Sequence, residues 1–312
     1  MSVLRCGLCS TLTEEVVQIL KENRLKSVTD IISSDLEAVS QETRIPYKDL
    51  VGIVSVLVAQ YSAYPVAGDS LYNYVLTSTS ILPTSCQRLD QLLDGGLYTG
   101  EVTEIAGEIA SGKTQICLSV AASVICHSKQ NVLYIDTCGG FSAERLEEIL
   151  HTRYNYKTKE NLLSHIKCVQ AFDVYNLMSE LQLIKASVIQ QVDPFYSSLK
   201  LVIVDSVTAV IYPILGGNQI DGHGLIVQLS QLLRLLAVDF SLSVLISNNI
   251  VVNEGEKRAS LGRVWSHVPH TRLMVSRHMD QQGNIQLAKS SRMKIGQSVN
   301  FDITEKGCVD PG

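Results

Sequence analysis

The chain has 312 residues, of which 46% are hydrophobic and 18% charged, enough apolar surface for a sizeable core and too much for a disordered chain. Against 31 Asp and Glu stand 26 Lys and Arg, a net charge of −5, which excludes a protein that coats duplex DNA through bulk charge. The charge is segregated, because residues 253–296 hold eight cations and three carboxylates (+5), leaving 18 against 28 (−10) elsewhere.

The first ten residues, MSVLRCGLCS, lack an apolar signal core, and no run approaches the roughly 18 apolar residues of a membrane span. Eight cysteines are scattered at positions 6, 9, 86, 117, 126, 138, 168 and 308, the pattern of a reduced intracellular protein. Cys6 and Cys9 form the one CxxC pair, but a zinc site needs about four ligands and no second pair supplies them. They read as small apolar residues at a fraying start.

Residues 1–60 predict a small helical domain of four or five helices, a module suited to partner or DNA contact. Thr11–Glu14 and Ser34–Glu37 fit the capping box, in which a hydroxyl and a carboxylate satisfy the free amides of a helix start. Val16, Ile19 and Leu20 then recur at helical spacing, and Leu36 and Val39 follow the second box. Residues 61–80 have linker composition with Tyr61, Tyr64, Tyr72 and Tyr74 among Ser, Thr, Gly and Pro. Those aromatics suit either docking on a neighbour or packing on their own core.

From residue 81 to 312, short apolar runs alternate with helical stretches. The runs are Glu101–Gly107, Asn131–Asp136, His165–Phe172, Leu201–Asp205 and Ser243–Asn248, and an amphipathic segment spans Gly224–Phe240. This pattern predicts an α/β core on a mostly parallel sheet with helices on both faces. Thr271–Ser276, Ile285–Ala288 and Val299–Ile303 lack long helices between them and predict an antiparallel C-terminal extension.

Gly107, Glu108, Ile109, Ala110, Ser111, Gly112, Lys113 and Thr114 fit GxxxxGK[ST] between a strand and a helix. Glycines let the backbone wrap phosphates, Lys113 would reach the β- and γ-phosphates, and the Thr114 hydroxyl would ligate magnesium. Asp205 ends a buried apolar strand, where it can hold the same Mg shell. No NKxD-type guanine-reading motif is present, which argues against a GTPase.

A wider set of motifs carries a family resemblance. A helical module and linker precede Leu89–Ile105 and the P-loop; Leu133–Asp136, Phe141–Leu146, Val204–Ala209 and Leu245–Asn248 follow in order. This set resembles the eukaryotic branch of the RecA-type recombinases, in detail most like the recombinase paralogues, over roughly Ile81 to Cys308. The resemblance implies a RecA-like P-loop NTPase core that binds ATP and Mg. It further implies head-to-tail stacking with other paralogues in a hetero-oligomer, support of strand-exchange filaments on single-stranded DNA, and a nuclear location. It places Arg145 against adenine and Asn249 at the γ-phosphate sensor, where the family usually has Gln.

The departures from that family are informative. Cys138 stands where recombinases carry the Glu that orients the attacking water. A free thiol is mostly protonated at neutral pH, and loss of a positioned base costs about 10²–10⁴ in rate. ATP binding with slow or absent turnover is therefore expected. The first DNA loop, within Ile211–Gly224, has no Lys or Arg and should bind DNA poorly. The second, within Val251–His270, holds Lys257, Arg258, Arg263 and Trp265, cations for phosphate and an aromatic for base stacking.

Lys289 and Arg292 occupy the place where family members cap a neighbour's ATP, and a cation there would stabilise phosphoryl-transfer charge. Tyr64 and Ala67 loosely match the family's aromatic-x-x-Ala docking hook. Two readings remain: an assembly subunit gated by nucleotide, favoured by Cys138 and the uncharged first loop, and a DNA-stimulated ATPase acting directly on single strands.

Overall fold

A computed structural model describes residues 4, 6–7, 9, 11–61, 65–155, 162–190, 193–215, 219–253, 256–277 and 282–312, with backbone alone at 219–221, 253 and 256. The chain divides into two compact units, Met1–Tyr74 and Val75–Gly312.

The first unit is helical: α1 (Glu14–Glu22), α2 (Val28–Ile32), α3 (Leu36–Thr43), α4 (Tyr47–Tyr61) and the start of α5 (Gly68–Ser78). Leu20, Ile31, Leu50, Ile53 and Leu57 are fully buried and form its core. The helix starts differ from the capping boxes expected. Thr13, not Thr11, leaves α1 in extended geometry and accepts the Val16 N–H; Asp35, not Ser34, caps α3. The reciprocal box lies at Ser27 and Asp30, where the Asp30 N–H reaches Ser27 Oγ at 3.1 Å and the Ser27 N–H reaches Asp30 Oδ2 at 2.8 Å. Asp30 closes the box where Glu or Gln is usual.

A helix, α5, crosses the segment with linker composition and has no buried residue. Tyr61, Tyr72 and Tyr74 are all exposed, so none packs into a core; Tyr64 lies outside the described residues.

The second unit opens with β1 (Ile81–Leu82), α6 (Gln87–Leu92) and β2 (Leu97–Tyr98). Then come β3 (Val102–Gly107), α7 (Lys113–His127), β4 (Asn131–Asp136), α8 (Ala143–Tyr154), β5 (Ile166–Gln170), α9 (Val174–Gln190) and α10 (Pro194–Ser197). The run β6 (Leu199–Asp205), α11 (Val207–Ile211), α12 (Gln219–Val238), β7 (Ser243–Asn253), β8 (Glu256–Ala259) and α13 (Gly262–Ser266) follows. The end is β9 (Thr271–Ser276), β10 (Gly283–Lys289), β11 (Ser298–Thr304) and β12 (Gly307–Val309).

Among the described residues the main sheet has the order β12-β11-β10-β9-β3-β7-β6-β4-β5. Pairing is parallel from β9 through β5 and antiparallel from β9 to β12: the mostly parallel sheet and antiparallel C-terminal extension that the periodicity predicts, in keeping with the RecA-like core that the resemblance implies. Both faces of the central strands are covered. Ile105, Tyr134 and Ile203 pack with α7 and α8 on one side, and Val204, Ile246 and Trp265 pack with α9 and α12 on the other. No described helix is long and apolar enough to cross a membrane.

The sheet's far edge also closes on the start of the unit. Helix α6 has no side-chain cap of its own at Cys86. Asp310 provides one, accepting the Gln87 and Arg88 N–H groups at 2.9 Å each and the Cys86 thiol at 3.2 Å. Arg153 from α8 ties the same region together through the carbonyls of Ser85, Lys306 and Cys308.

The segment expected to be a second DNA loop is largely ordered. β-Branched Ile250, Val251 and Val252 carry β7 past the sheet, and β8 pairs back on it from Ile250↔Ala259 to Asn253↔Glu256. In the first expected loop Tyr212–Ile214 form a single 3-10 turn and α12 begins at Gln219, with 216–218 outside the described residues.

Candidate nucleotide site and nucleic-acid interface

β3 is buried along its whole length and delivers Gly107 to the loop that precedes α7. A Cβ at Gly107 would stand 2.5 Å from Ser111 Oγ and 2.6 Å from the Val275 carbonyl, so only glycine lets the loop fold back this closely. Gly112 has φ +99°, in the left-handed region, and its missing Cβ makes room for Ile303. The Lys113 ammonium donates to the carbonyls of Gly107 (2.8 Å) and Glu108 (2.7 Å). Burial lowers the Lys113 pKa, with the Asp205 charge opposing that shift. Ser111 Oγ is buried with no hydrogen-bond partner. Ala110–Gln115 line a cleft of about 280 Å³ together with Arg277 and Ile303, while Ile109 points into solvent.

Asp205 ends β6 directly across from this loop. Its Oδ2 accepts the Thr114 hydroxyl at 2.7 Å, so the two groups expected to hold magnesium meet. Sequence reasoning missed two further donors to this carboxylate. Tyr134 OH reaches Oδ2 at 2.8 Å, and Ser247 Oγ hydrogen-bonds Oδ1. Burial, and then the neighbouring Cys117 and Asp205, push the Tyr134 phenol well above its usual range, so it remains a donor. A tyrosine inside the apolar run Asn131–Asp136 was the available signal, since a buried phenol needs a partner.

Asp136 is structural. It accepts the N–H groups of Cys138, Gly139 and Gly140 on one oxygen and of Phe141 on the other, fixing the turn that carries Cys138. The Cys138 thiol lies 3.7 Å from Ser206 Oγ, where β4 and β6 end. A cis peptide joins Asp205 to Ser206.

Arg145 borders the loop helix: its Nε donates to Gln115 Oε1 at 2.9 Å. The rest of its guanidinium is held by Glu148 and by the carbonyls of Thr304 and Glu305. Asn249 pairs with Gly107 in the β3–β7 register, but it borders a different cleft of about 420 Å³ with Thr208, Tyr212 and Ser260.

Trp265 requires a correction. Expected to stack on bases, it is fully buried, and its indole N–H donates to Glu104 Oε1 at 2.8 Å. Glu104, itself 0% exposed, also accepts Asn248 Nδ2 at 2.6 Å and pairs with Arg272 Nε. A buried carboxylate in the middle of a strand needs such compensation, and the indole supplies part of it. Asn248 extends the network by accepting the hydroxyls of Thr208 and Ser260. The cations behave differently: Lys257 and Arg258 are exposed on β8, where Lys257 pairs with Glu108 at 2.7 Å, and Arg263 is exposed on α13.

The two expected interface cations are engaged within the chain. Lys289 Nζ donates to the carbonyls of Ser266 (2.9 Å) and Pro269 (2.6 Å). Arg292 pairs with Glu101 at 2.8 Å and lies 3.5 Å above the Tyr98 ring. Ala67 is exposed at the start of α5, its carbonyl accepting the Leu71 N–H.

The close glycine turn, the unpartnered Ser111 hydroxyl, Lys113 and the Thr114–Asp205 pair fit a magnesium-bound nucleotide triphosphate. Comparison with known proteins agrees with this architecture. Residues 77–311 match the Rad51 family model, and residues 1–60 match the model described as RAD51D, N-terminal domain. The chain is 44% identical over 315 residues to the "DNA repair protein RAD51 homolog 4" of Bos taurus, covering 98% of this chain and 97% of that protein. It is 29% identical to the "Probable DNA repair protein RAD51 homolog 4" of Dictyostelium discoideum, with 91% and 92% covered. It is 27% identical to the "DNA repair and recombination protein RadA" of Aeropyrum pernix, with 94% and 93% covered.

Proposed function

This chain belongs to the Rad51 family, and on that premise we propose that it is an ATP-binding recombinase paralogue of homologous-recombination DNA repair. In this reading it works in the nucleus within a heteromeric paralogue complex that supports the strand-exchange filament on single-stranded DNA. Gly107–Thr114 hold the phosphates, Thr114 and Asp205 receive magnesium, and Arg145 lies against the base. Asn249, which borders the neighbouring cleft, stands at the family's γ-phosphate sensor position. Lys257, Arg258 and Arg263 contact DNA phosphates. Tyr64 and Ala67 dock on a neighbouring subunit, and Lys289 and Arg292 serve a neighbour's nucleotide after exchanging their present partners.

The observation that carries the mechanism is the Cys138 turn. The thiol replaces a base, and Asp136, the adjacent carboxylate, has both oxygens committed to four backbone N–H groups. ATP bound at the loop would thus act as a clamp that holds an interface, with slow or absent turnover. The alternative, a DNA-stimulated ATPase acting directly on strands, draws support from the intact Lys113, Thr114 and Asp205.

The test is ATP binding and turnover by the chain, with and without single-stranded DNA, beside Lys113→Ala and Cys138→Glu. Tight binding without turnover, lost in Lys113→Ala and with turnover rising in Cys138→Glu, is the expected result. DNA-stimulated turnover in the native chain would sink the clamp and establish the motor.

A further inference from the structure

Asp205 ends the central strand β6, and its carboxylate is held from three sides. The strand order β7-β6-β4 sets Ser247 on one flank, one residue past the Val204↔Ile246 pair, and Tyr134 on the other. Helix α7 brings Thr114 across the end of the sheet. Tyr134 OH donates to Oδ2 at 2.8 Å, the Thr114 hydroxyl donates to the same oxygen at 2.7 Å, and Ser247 Oγ donates to Oδ1. An ionised carboxylate offers about four lone-pair positions. Among the described residues three are taken, and the remaining one is on Oδ1.

Burial separates the three hydroxyls. Tyr134 and Ser247 are 0% exposed, whereas Thr114 is half-buried and lines the phosphate cleft. A ligand in that cleft meets Thr114 but neither of the other two, so whatever they do to it passes through Asp205. A hydroxyl has one proton and two lone pairs. Because Thr114 gives its proton to Asp205, only its lone pairs are left for the cleft, which makes it an acceptor toward a cation. Held by Thr114 alone, the carboxylate could turn about its Cβ–Cγ bond and carry that proton with it. Tyr134 and Ser247 prevent this, and both are fixed themselves. The Tyr134 ring packs 4.9 Å from that of Phe141, and Ser247 is locked in the β3–β7 ladder opposite Ile105.

We propose that Tyr134 and Ser247 are positioning residues for the magnesium of a bound nucleotide, acting through Asp205 on the Thr114 oxygen. The inference rests on the nucleotide reading above and adds to it the residues that set metal affinity. Hydrogen bonds that orient a metal site from outside are typically worth about 10- to 100-fold in metal affinity.

The test measures ATP affinity of the full chain by calorimetry across a magnesium series and in excess EDTA, beside a thermal melt of each variant. Tyr134→Phe keeps the ring against Phe141 and removes one hydroxyl; Ser247→Ala removes the other. Each is expected to raise the magnesium concentration needed for half-maximal ATP affinity by about tenfold and to leave affinity in EDTA unchanged. In a cycle with Thr114→Ala the effect of Tyr134→Phe should shrink to within about twofold, since the oxygen it acts on is then gone. A tenfold effect that persists in Thr114→Ala overturns the route through Thr114. A lowered thermal midpoint with the native magnesium dependence overturns the proposal, because the hydroxyls then only compensate a buried carboxylate. Affinity lost equally with and without magnesium overturns it too. A native chain whose ATP affinity magnesium does not raise overturns the magnesium assignment along with it, and a chain that binds no ATP overturns the nucleotide reading as well.

Discussion

The indole N–H of Trp265 donates to the Glu104 carboxylate at 2.8 Å, joining α13 to the strand that leads into the phosphate loop. Replacing Trp265 with Phe keeps an aromatic core and removes one hydrogen bond to a charged group, a loss of about 1.5–3 kcal/mol. A lower urea midpoint with unchanged oligo-dT affinity is expected. Because the chain has one tryptophan, its emission in the native protein should not shift when single-stranded DNA is added. Quenching on DNA addition would return Trp265 to the DNA-contacting set.

Glu104→Gln should be harsher, because it leaves Arg272 buried without its countercharge. Breaking one side of a buried pair costs about 3–5 kcal/mol. Urea unfolding of Glu104→Gln beside the double variant Glu104→Gln/Arg272→Met checks this. The double variant should recover part of the loss, since no unpaired charge then remains.

Ser111→Ala separates binding from folding. The Ser111 hydroxyl is buried and unpartnered, so its removal should leave the thermal midpoint unchanged or slightly raised. If the hydroxyl instead meets a phosphate oxygen, ATP affinity falls by about 1.5–3 kcal/mol, roughly ten- to a hundredfold. Calorimetric titration with ATP, set beside a thermal melt, reads both quantities. An unchanged ATP affinity would remove Ser111 from the site.

Asp310→Ala removes the cap of α6 and should cost about 0.5–2 kcal/mol in a denaturant melt. Burial works to raise the Asp310 pKa, but the Arg88 N–H, the Cys86 thiol and the Gln87 N–H outweigh it and hold the carboxyl below its ordinary 3.8. The sign follows from that lowered value. The cap's contribution is complete above 3.8 and is lost as pH falls through the lower folded value. Melts near neutrality should separate the native chain from Asp310→Ala, and melts in strong acid should bring them together.

Much of this molecule was legible in the sequence because the signals were local. The strand–loop–helix around Gly107–Thr114, the apolar run ending at Asp205 and the alternation of β9–β11 each lie within a few residues. What was hidden depended on partners far along the chain. Trp265 sits in a basic stretch and reads as a stacking residue until Glu104, 161 residues earlier, is brought beside it. Glu104 itself gave a hint, since a carboxylate inside Val102–Gly107 must find compensation. The helix starts show a different limit. Thr11–Glu14 and Ser34–Glu37 satisfy the capping pattern, yet backbone geometry one or two residues later decides which side chain faces the free amides.

The Asp310 cap has a bearing on how the chain is made. A ribosome completes the first helical unit early, and its helices find their contacts among near neighbours. β3 emerges long before β7 and β9, the strands that flank it, and α6 waits for a carboxylate 222 residues downstream. During synthesis the nascent second unit therefore exposes unpaired strand edges, a state prone to misassociation. The sheet closes around β3 only after β7 and β9 have left the exit tunnel, and the α6 cap forms last; that interval is when a chaperone or an assembling partner would have most effect on yield.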